Sequence, residues 1–192
     1  MKDVKLYVKN MVCDRCILIV TNCFNDLAML PKSVKLGEVD LGEAELSPAE
    51  LSGLTRKFES LGFALIRDKK EILVEGIKTA IIELVHGHEE IDSATLKTTL
   101  VSKLNYDYAH MSNTFSELEG MSIKQYQINQ KIEKIKELLL YNELSLTEIS
   151  YQLGYSSLAH LSNQFKKVTG LTPSEFKSSN DMGERKPLDK LV

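Results

Sequence analysis

Two hydrophobic rhythms divide the chain. Through Asp68, short alternating runs flank two helix-like segments; from Glu71 onward every apolar stripe has helical spacing. "KLYVKNMV" alternates as a strand does. "CDRCILIVTNCFNDLAML" places Ile17, Val20, Phe24 and Leu27 near helical spacing, and Pro31 stops it. "SVKLGEVDLGEAEL" reads as extended, with bends at Gly37 and Gly42. "SPAELSGLTRKFESLG" carries a full helix signature: Ser47 as N-cap, Pro48 at the first helical position, Glu50 closing a capping box and Gly62 past the end. "FALIRD" closes the region as a short strand. The order is βαββαβ, which predicts a ferredoxin-like domain over residues 1–68 with a junction at "DKKE".

The second region predicts only helices. "EILVEGIKTAIIELVHG" sets Leu73, Ile77, Ile81 and Leu84 on one stripe. "DSATLKTTLVSKL" starts at an Asp92 or Ser93 cap, and "YDYAHMSNTFSELEG" follows closely. "SIKQYQINQKIEKIKELLLYNE" is longer, with Ile128, Ile132, Ile135 and Leu139 inward. "SLTEISYQLGY", "SSLAHLSNQFKKVTG" and a short "TPSEFK" complete it. The fold class expected is α+β, an N-terminal sheet domain followed by an all-α domain over 71–178. A polar tail at 179–192 is expected to be mobile.

Inside the helical region the chain repeats itself. "AHMSNTF" at 109–115 returns as "AHLSNQF" at 159–165, and Gly120 and Gly170 keep the offset of fifty residues. The apolar positions Tyr108, Met111, Phe115 and Leu118, and Leu158, Leu161, Phe165 and Val168, are expected to form core faces. The opposite face of the second copy then holds Ser157, His160, Asn163, Gln164 and Lys167. A helix precedes each copy. In the second, Ser145 caps that helix and Leu153-Gly154-Tyr155 turns, with glycine tolerating positive φ. Helix–tight turn–helix is the geometry that lays a second helix in a DNA major groove. Two such units could address successive faces of one duplex.

At these residues the chain resembles the C-terminal signature of AraC-type transcription regulators. Gly154-Tyr155, Phe165-Lys166-Lys167, Gly170 with Thr172-Pro173, and Phe176-Lys177 carry the resemblance, and "KIEKIKELL" is similar to that family's linker helix, with Lys131 where Arg is usual. It implies two recognition helices, 156–169 and 106–119, and double-stranded DNA as partner. The candidate contacts are Ser156, Ser157, His160, Asn163, Gln164, Lys166 and Lys167, and in the first unit Tyr106, Asp107, His110, Asn113 and Thr114. Asn163 stands where a basic residue is common and Leu161 where an aromatic is common. The first unit has Ser116-Glu117 against Lys166-Lys167, so weaker binding is expected of it. Asn can pair bidentately with adenine, whereas Lys positions phosphates.

Charge sharpens this picture. The net charge is −3. Residues 71–120 carry three Lys against nine acidic residues, a net of −6, whereas 121–178 carry seven Lys against five Glu, a net of +2. Phosphate attraction is therefore expected from the second stretch. No run approaches the ~20 apolar residues of a membrane span, and the opening residues lack a signal-peptide apolar core, so a cytoplasmic location is expected.

Chemistry is concentrated in "MVCDRC". Cys13 and Cys16 stand three apart where the first strand meets the first helix. Soft thiolates in this arrangement suit Cu(I) or Zn(II), and a helix N-terminus together with Arg15 is expected to favour thiolate. The stretch resembles the Met-x-Cys-x-x-Cys loop of heavy-metal-associated domains, whose cysteines bind the metal. A redox pair, or a loop that binds nothing, stays open beside it. Cys23 is expected to pack in the core. "HGHEE" at 86–90 reads as a solvated helix end, because two residues is poor spacing for one helical face. No nucleotide-binding glycine loop or Ser-His-Asp pattern appears, so no enzyme is expected. Three readings remain: a DNA-binding regulator responsive to a soft metal ion, a regulator whose N-terminal domain serves homodimerisation or protein docking, and a metal-trafficking protein with a degenerate helical domain.

Overall fold

The computed structural model describes residues 4–87, 95–178 and 186–191, and structural statements refer to these. The chain forms two compact units, Met1–Thr79 and Ala80–Val192.

The first unit follows the expected element order: β1 (Val4–Lys9), α1 (Asp14–Asn25), β2 (Ser33–Lys35), β3 (Glu38–Gly42), α2 (Pro48–Ser60) and β4 (Ala64–Ile66). The four strands form one sheet in the order β2-β3-β1-β4, every neighbouring pair antiparallel. Gly37 and Gly42 both have positive φ, at 77° and 62°, where the strands bend as the sequence predicts. The capping box at Ser47 and Glu50 forms in full. The core gathers Val8, Met11, Val20, Phe24, Val39, Leu54 and Phe58, with Phe58 edge-on to both Phe24 and Phe63. Cys23 is 2% exposed within this core, as expected.

The boundary lies later than the sequence places it. Helix α3 spans Lys69–His86, and the division falls inside it, between Thr79 and Ala80. A reason is visible in the first half of α3: the Glu75 carboxylate accepts a hydrogen bond from the Asn10 backbone N–H at 2.9 Å. "DKKE" therefore opens a helix, with Asp68 accepting from the N–H groups of Lys70 and Glu71, and is not a linker.

The second unit continues with α4 (Thr95–Leu104), α5 (Tyr108–Glu119), α6 (Ile123–Tyr141), α7 (Leu146–Gln152), α8 (Leu158–Thr169) and α9 (Pro173–Ser178). The expected Asp92 or Ser93 cap and His88 lie outside the described residues. His86 is not the solvated helix end expected, because its ring shares a hydrogen bond with Gln130 on α6 at 3.1 Å. Ile132, Ile135 and Leu139 face inward on α6, with Ile128 only half-buried.

Part of the tail expected to be mobile runs along α6. The Lys186 N–H donates to Glu133, and the side chains of Gln130 and Asn129 donate to the carbonyls of Leu188 and Leu191. Leu191 is 6% exposed. Buried polar side chains on α6, rather than the composition of the tail, decide this, since each needs a partner.

Candidate nucleic-acid interface

The two copies build one frame twice. Asp107 caps α5, accepting from the N–H groups of Ala109 and His110, and Ser157 caps α8, accepting from that of His160. Gly120 and Gly170 end those helices at φ 68° and 83°, the left-handed conformation that suits glycine. The repeat extends beyond the glycines. Ser122 accepts from Gln125 N–H as Thr172 does from Glu175 N–H. Phe115 meets Tyr126 and Phe165 meets Phe176, both pairs at 5.6 Å between ring centres. Tyr126 and Phe176 also stand fifty residues apart, so the sequence carries a signal for this aromatic pair.

The turns differ. The left-handed residue is Asn105 (φ 57°), two positions before its cap, in the first unit, and Gly154 (φ 66°), three positions before its cap, in the second. The extra residue displaces the tyrosine that meets each repeated histidine. Tyr106 stacks on His110 and is 46% exposed; Tyr155 meets His160 edge-on and is 9% exposed. Tyr155 also donates to Gln164 at 2.6 Å, and burial pushes its phenol pKa well up. Lys131, on α6, donates to the Leu153 carbonyl at 2.6 Å, with its ammonium 5.2 Å from the Tyr155 ring centre. Burial pulls the Lys131 pKa down. The second turn is thus held from α6 by a buried cation.

The expected contact residues separate into three groups. Open to solvent on α8 are His160, Asn163, Lys166 and Lys167, with Ser156 and Ser157 just ahead of the helix. On α5 the open positions are His110 and Asn113, with Tyr106 and Asp107 preceding the helix. Ser156 shares a hydrogen bond with the His160 ring at 3.1 Å. Thr114 and Gln164 occupy the same place in the repeat, and neither stands free. Thr114 is 4% exposed, which removes it from the open face, and Gln164 is half-buried under Tyr155. Both recognition segments also begin as helix two residues later than expected, since Asp107 and Ser157 are caps. The inward faces are narrower too. Met111, Phe115, Leu161 and Phe165 are fully buried, whereas Leu118, Leu158 and Val168 are 44%, 39% and 42% exposed.

In the first unit of the chain, Cys13 is the N-cap of α1 and Cys16 lies in its first turn. Their sulfurs stand 3.7 Å apart, with Cys13 exposed and Cys16 half-buried. The expectation of a lowered thiol pKa fails at Cys16. Desolvation pushes it up and outweighs the lowering from the backbone N–H groups there. Two sulfurs bound at about 2.3 Å and a tetrahedral angle would lie about 3.8 Å apart, so the pair has a chelating bite. Among the described residues no cluster of three or more His, Cys, Asp or Glu side chains is placed to hold a metal ion. No helix among them is long and apolar enough to cross a membrane.

Residues 100–179 match the family model described as helix-turn-helix domain. The Msm operon regulatory protein of Streptococcus mutans is 29% identical over 90 residues, 47% of this chain and 32% of that protein. An uncharacterized HTH-type transcriptional regulator of Staphylococcus aureus is 30% identical over 96 residues, 50% of this chain and 12% of that protein. The chain therefore spans about a third or less of these relatives' length. The C-terminal domain of AraT, a response regulator from Geobacillus stearothermophilus, superposes with a TM-score of 0.50 at 22% identity, covering 62% of this chain and 94% of that one. That likeness is one of fold: a mixed α+β chain whose helical unit is shaped like such a C-terminal domain.

Proposed function

We propose that this chain, with its helix-turn-helix domain at 100–179, is a sequence-specific DNA-binding transcription regulator of the AraC type. The observation that carries the reading is the face of α8. His160, Asn163 and Lys167 project at helical spacing from a helix whose other side is sealed by Leu161 and Phe165. Asn163 is assigned to base reading, since a carboxamide can pair bidentately with adenine. Lys166 and Lys167 are assigned to phosphates. Ser156, Ser157 and His160 lie at the helix entry, and His110 and Asn113 offer a weaker second contact from α5. Double-stranded DNA is the partner, and a cytoplasmic location accompanies that role.

The test is duplex binding across a salt series. Wild type should lose affinity steeply as salt rises. Asn163→Ala should relax the preference at one base pair by about 1–3 kcal/mol and leave the salt slope unchanged. An Asn163 variant with undiminished specificity would remove that residue from the readout, and absent binding at low salt would favour the trafficking reading.

For the N-terminal unit the reading is a ferredoxin-like domain, supported by its β2-β3-β1-β4 antiparallel sheet. Its assigned role is to sense a soft metal ion. Cys13 and Cys16 would hold that ion as thiolates with release of their protons, so bound Cu(I) would leave one net negative charge at the start of α1. The donor set fits Cu(I), for which two thiolates suffice, better than Zn(II), which needs two donors more. Anaerobic Cu(I) competition with Cys13→Ser and Cys16→Ser as controls tests this. Without Cu(I) binding, the unit becomes a surface for homodimerisation or protein docking.

A further inference from the structure

We propose that Cys13 and Cys16 form a reversible dithiol–disulfide site whose substrate class is a low-molecular-weight disulfide. A disulfide needs two sulfurs and nothing else, and this pair is complete for that purpose, whereas no cluster of three or more possible ligands exists among the described residues. The sulfurs already face each other at 3.7 Å. A bond length of about 2.05 Å requires them to close by about 1.7 Å, the scale of side-chain rotation. The backbone between them is fixed by the first helical turn, since the N–H groups of Cys16 and Ile17 both donate to the Cys13 carbonyl, at 2.9 and 3.4 Å.

The two positions divide the roles. Cys13 is exposed and can meet a disulfide in solution; Cys16 is half-buried one turn along and faces Cys13. The Cys13 thiolate attacks one sulfur of the small disulfide, forming a mixed disulfide and expelling one small thiolate. The Cys16 thiolate then attacks the Cys13 sulfur, closing the protein disulfide and expelling the second small thiol. The cysteine pair is oxidised by two electrons, and one small disulfide is reduced to two thiols, the two protein protons passing to the leaving thiolates. Cys23, at 2% exposure in the core, takes no part. Closure also withdraws both sulfurs from any soft ion.

The experiment uses the full chain, reduced and metal-chelated, in glutathione–glutathione disulfide buffers of increasing oxidation. Samples are acid-quenched, alkylated and weighed by mass spectrometry. The expected product has lost about 2 Da, marking a disulfide within one chain. It retains one alkylatable thiol of the original three, and dithiothreitol restores all three. Cys23→Ser should close identically, whereas Cys16→Ser should stop at a glutathione adduct on Cys13. A wild-type chain that accumulates the adduct without closing, links to a second chain, or keeps all its thiols overturns the proposal. Neither DNA nor metal enters the measurement, so its failure is separate from that of either earlier reading.

Discussion

The two helix-turn-helix units share a frame and differ in chemistry. Phe115 with Tyr126 and Phe165 with Phe176 lock both at the same ring separation, and both α5 and α8 end on a left-handed glycine. Around that frame almost every charged position diverges. The α5 cap is Asp107 where α8 has Ser157, and Ser116-Glu117 face Lys166-Lys167. An aspartate cap is good for the helix and poor for an approaching phosphate, because one carboxylate cannot serve both. One packed frame thus carries two differently charged surfaces. The open face keeps His110 with His160 and Asn113 with Asn163, and what differs is its charge, Ser116-Glu117 on α5 against Lys166-Lys167 on α8.

The comparison can be broken at its core. Phe115→Ala and Phe165→Ala should each cost about 3–5 kcal/mol in denaturant unfolding, since both rings are fully buried. Clearly unequal costs would show that the frames are less alike than their geometry.

A smaller change separates the turns. Lys131→Ala leaves the Leu153 carbonyl without its donor and should cost about 1–3 kcal/mol. Hydrogen exchange should rise at Gly154 and Tyr155 and stay level at Asn105. Equal loosening of both turns would contradict the assignment of Lys131 to the second alone.

Charge can then be moved between the copies. Ser116→Lys gives the first helix the cation that Lys166 gives the second, and the salt slope of duplex binding should steepen by roughly 0.9. Lys167→Ala should flatten it by about 1. Unchanged slopes would take these positions off the phosphate path.

The smallest expected effect is acid sensitivity. Hydrogen bonds from the Ser145 side chain and backbone hold the Glu148 carboxyl below its ordinary pKa, and those from the backbone and hydroxyl of Thr172 do the same for Glu175. A carboxyl depressed on folding adds stability above its unfolded pKa and loses it as pH falls through the folded value. The corresponding cap of the first unit pairs Ser122 with Gln125, which does not titrate. Acid titration below the ordinary carboxylate range should therefore fray the second unit's helices by circular dichroism, less so in Glu148→Gln/Glu175→Gln. An identical acid transition in that double variant would remove the caps as its cause.

Much of this was readable in advance because it is local. The capping box at Ser47, the cap at Ser145, the bends at Gly37 and Gly42, the turn at Gly154 and the inward Phe115 and Phe165 depend on residues within one turn or one strand of each other. The errors share a cause. Thr114 is polar and a candidate for the open face, yet it is buried; Gln164, at the same repeat position, is claimed by Tyr155. Leu118, Leu158 and Val168 have the right spacing for burial, yet no neighbouring element covers them fully. Periodicity tells which residues share a face, not how far the covering surface extends.

What the sequence by itself determined is the element order, the repeat, the caps and the adjacency of Cys13 and Cys16, because short-range backbone geometry sets each of these. Tertiary structure alone decided that the units divide within α3, that residues 186–191 run along α6, and that Lys131 reaches the carbonyl of Leu153. Those outcomes turn on buried polar groups finding partners far along the chain, and such partners are chosen by proximity in the folded state rather than by any local pattern.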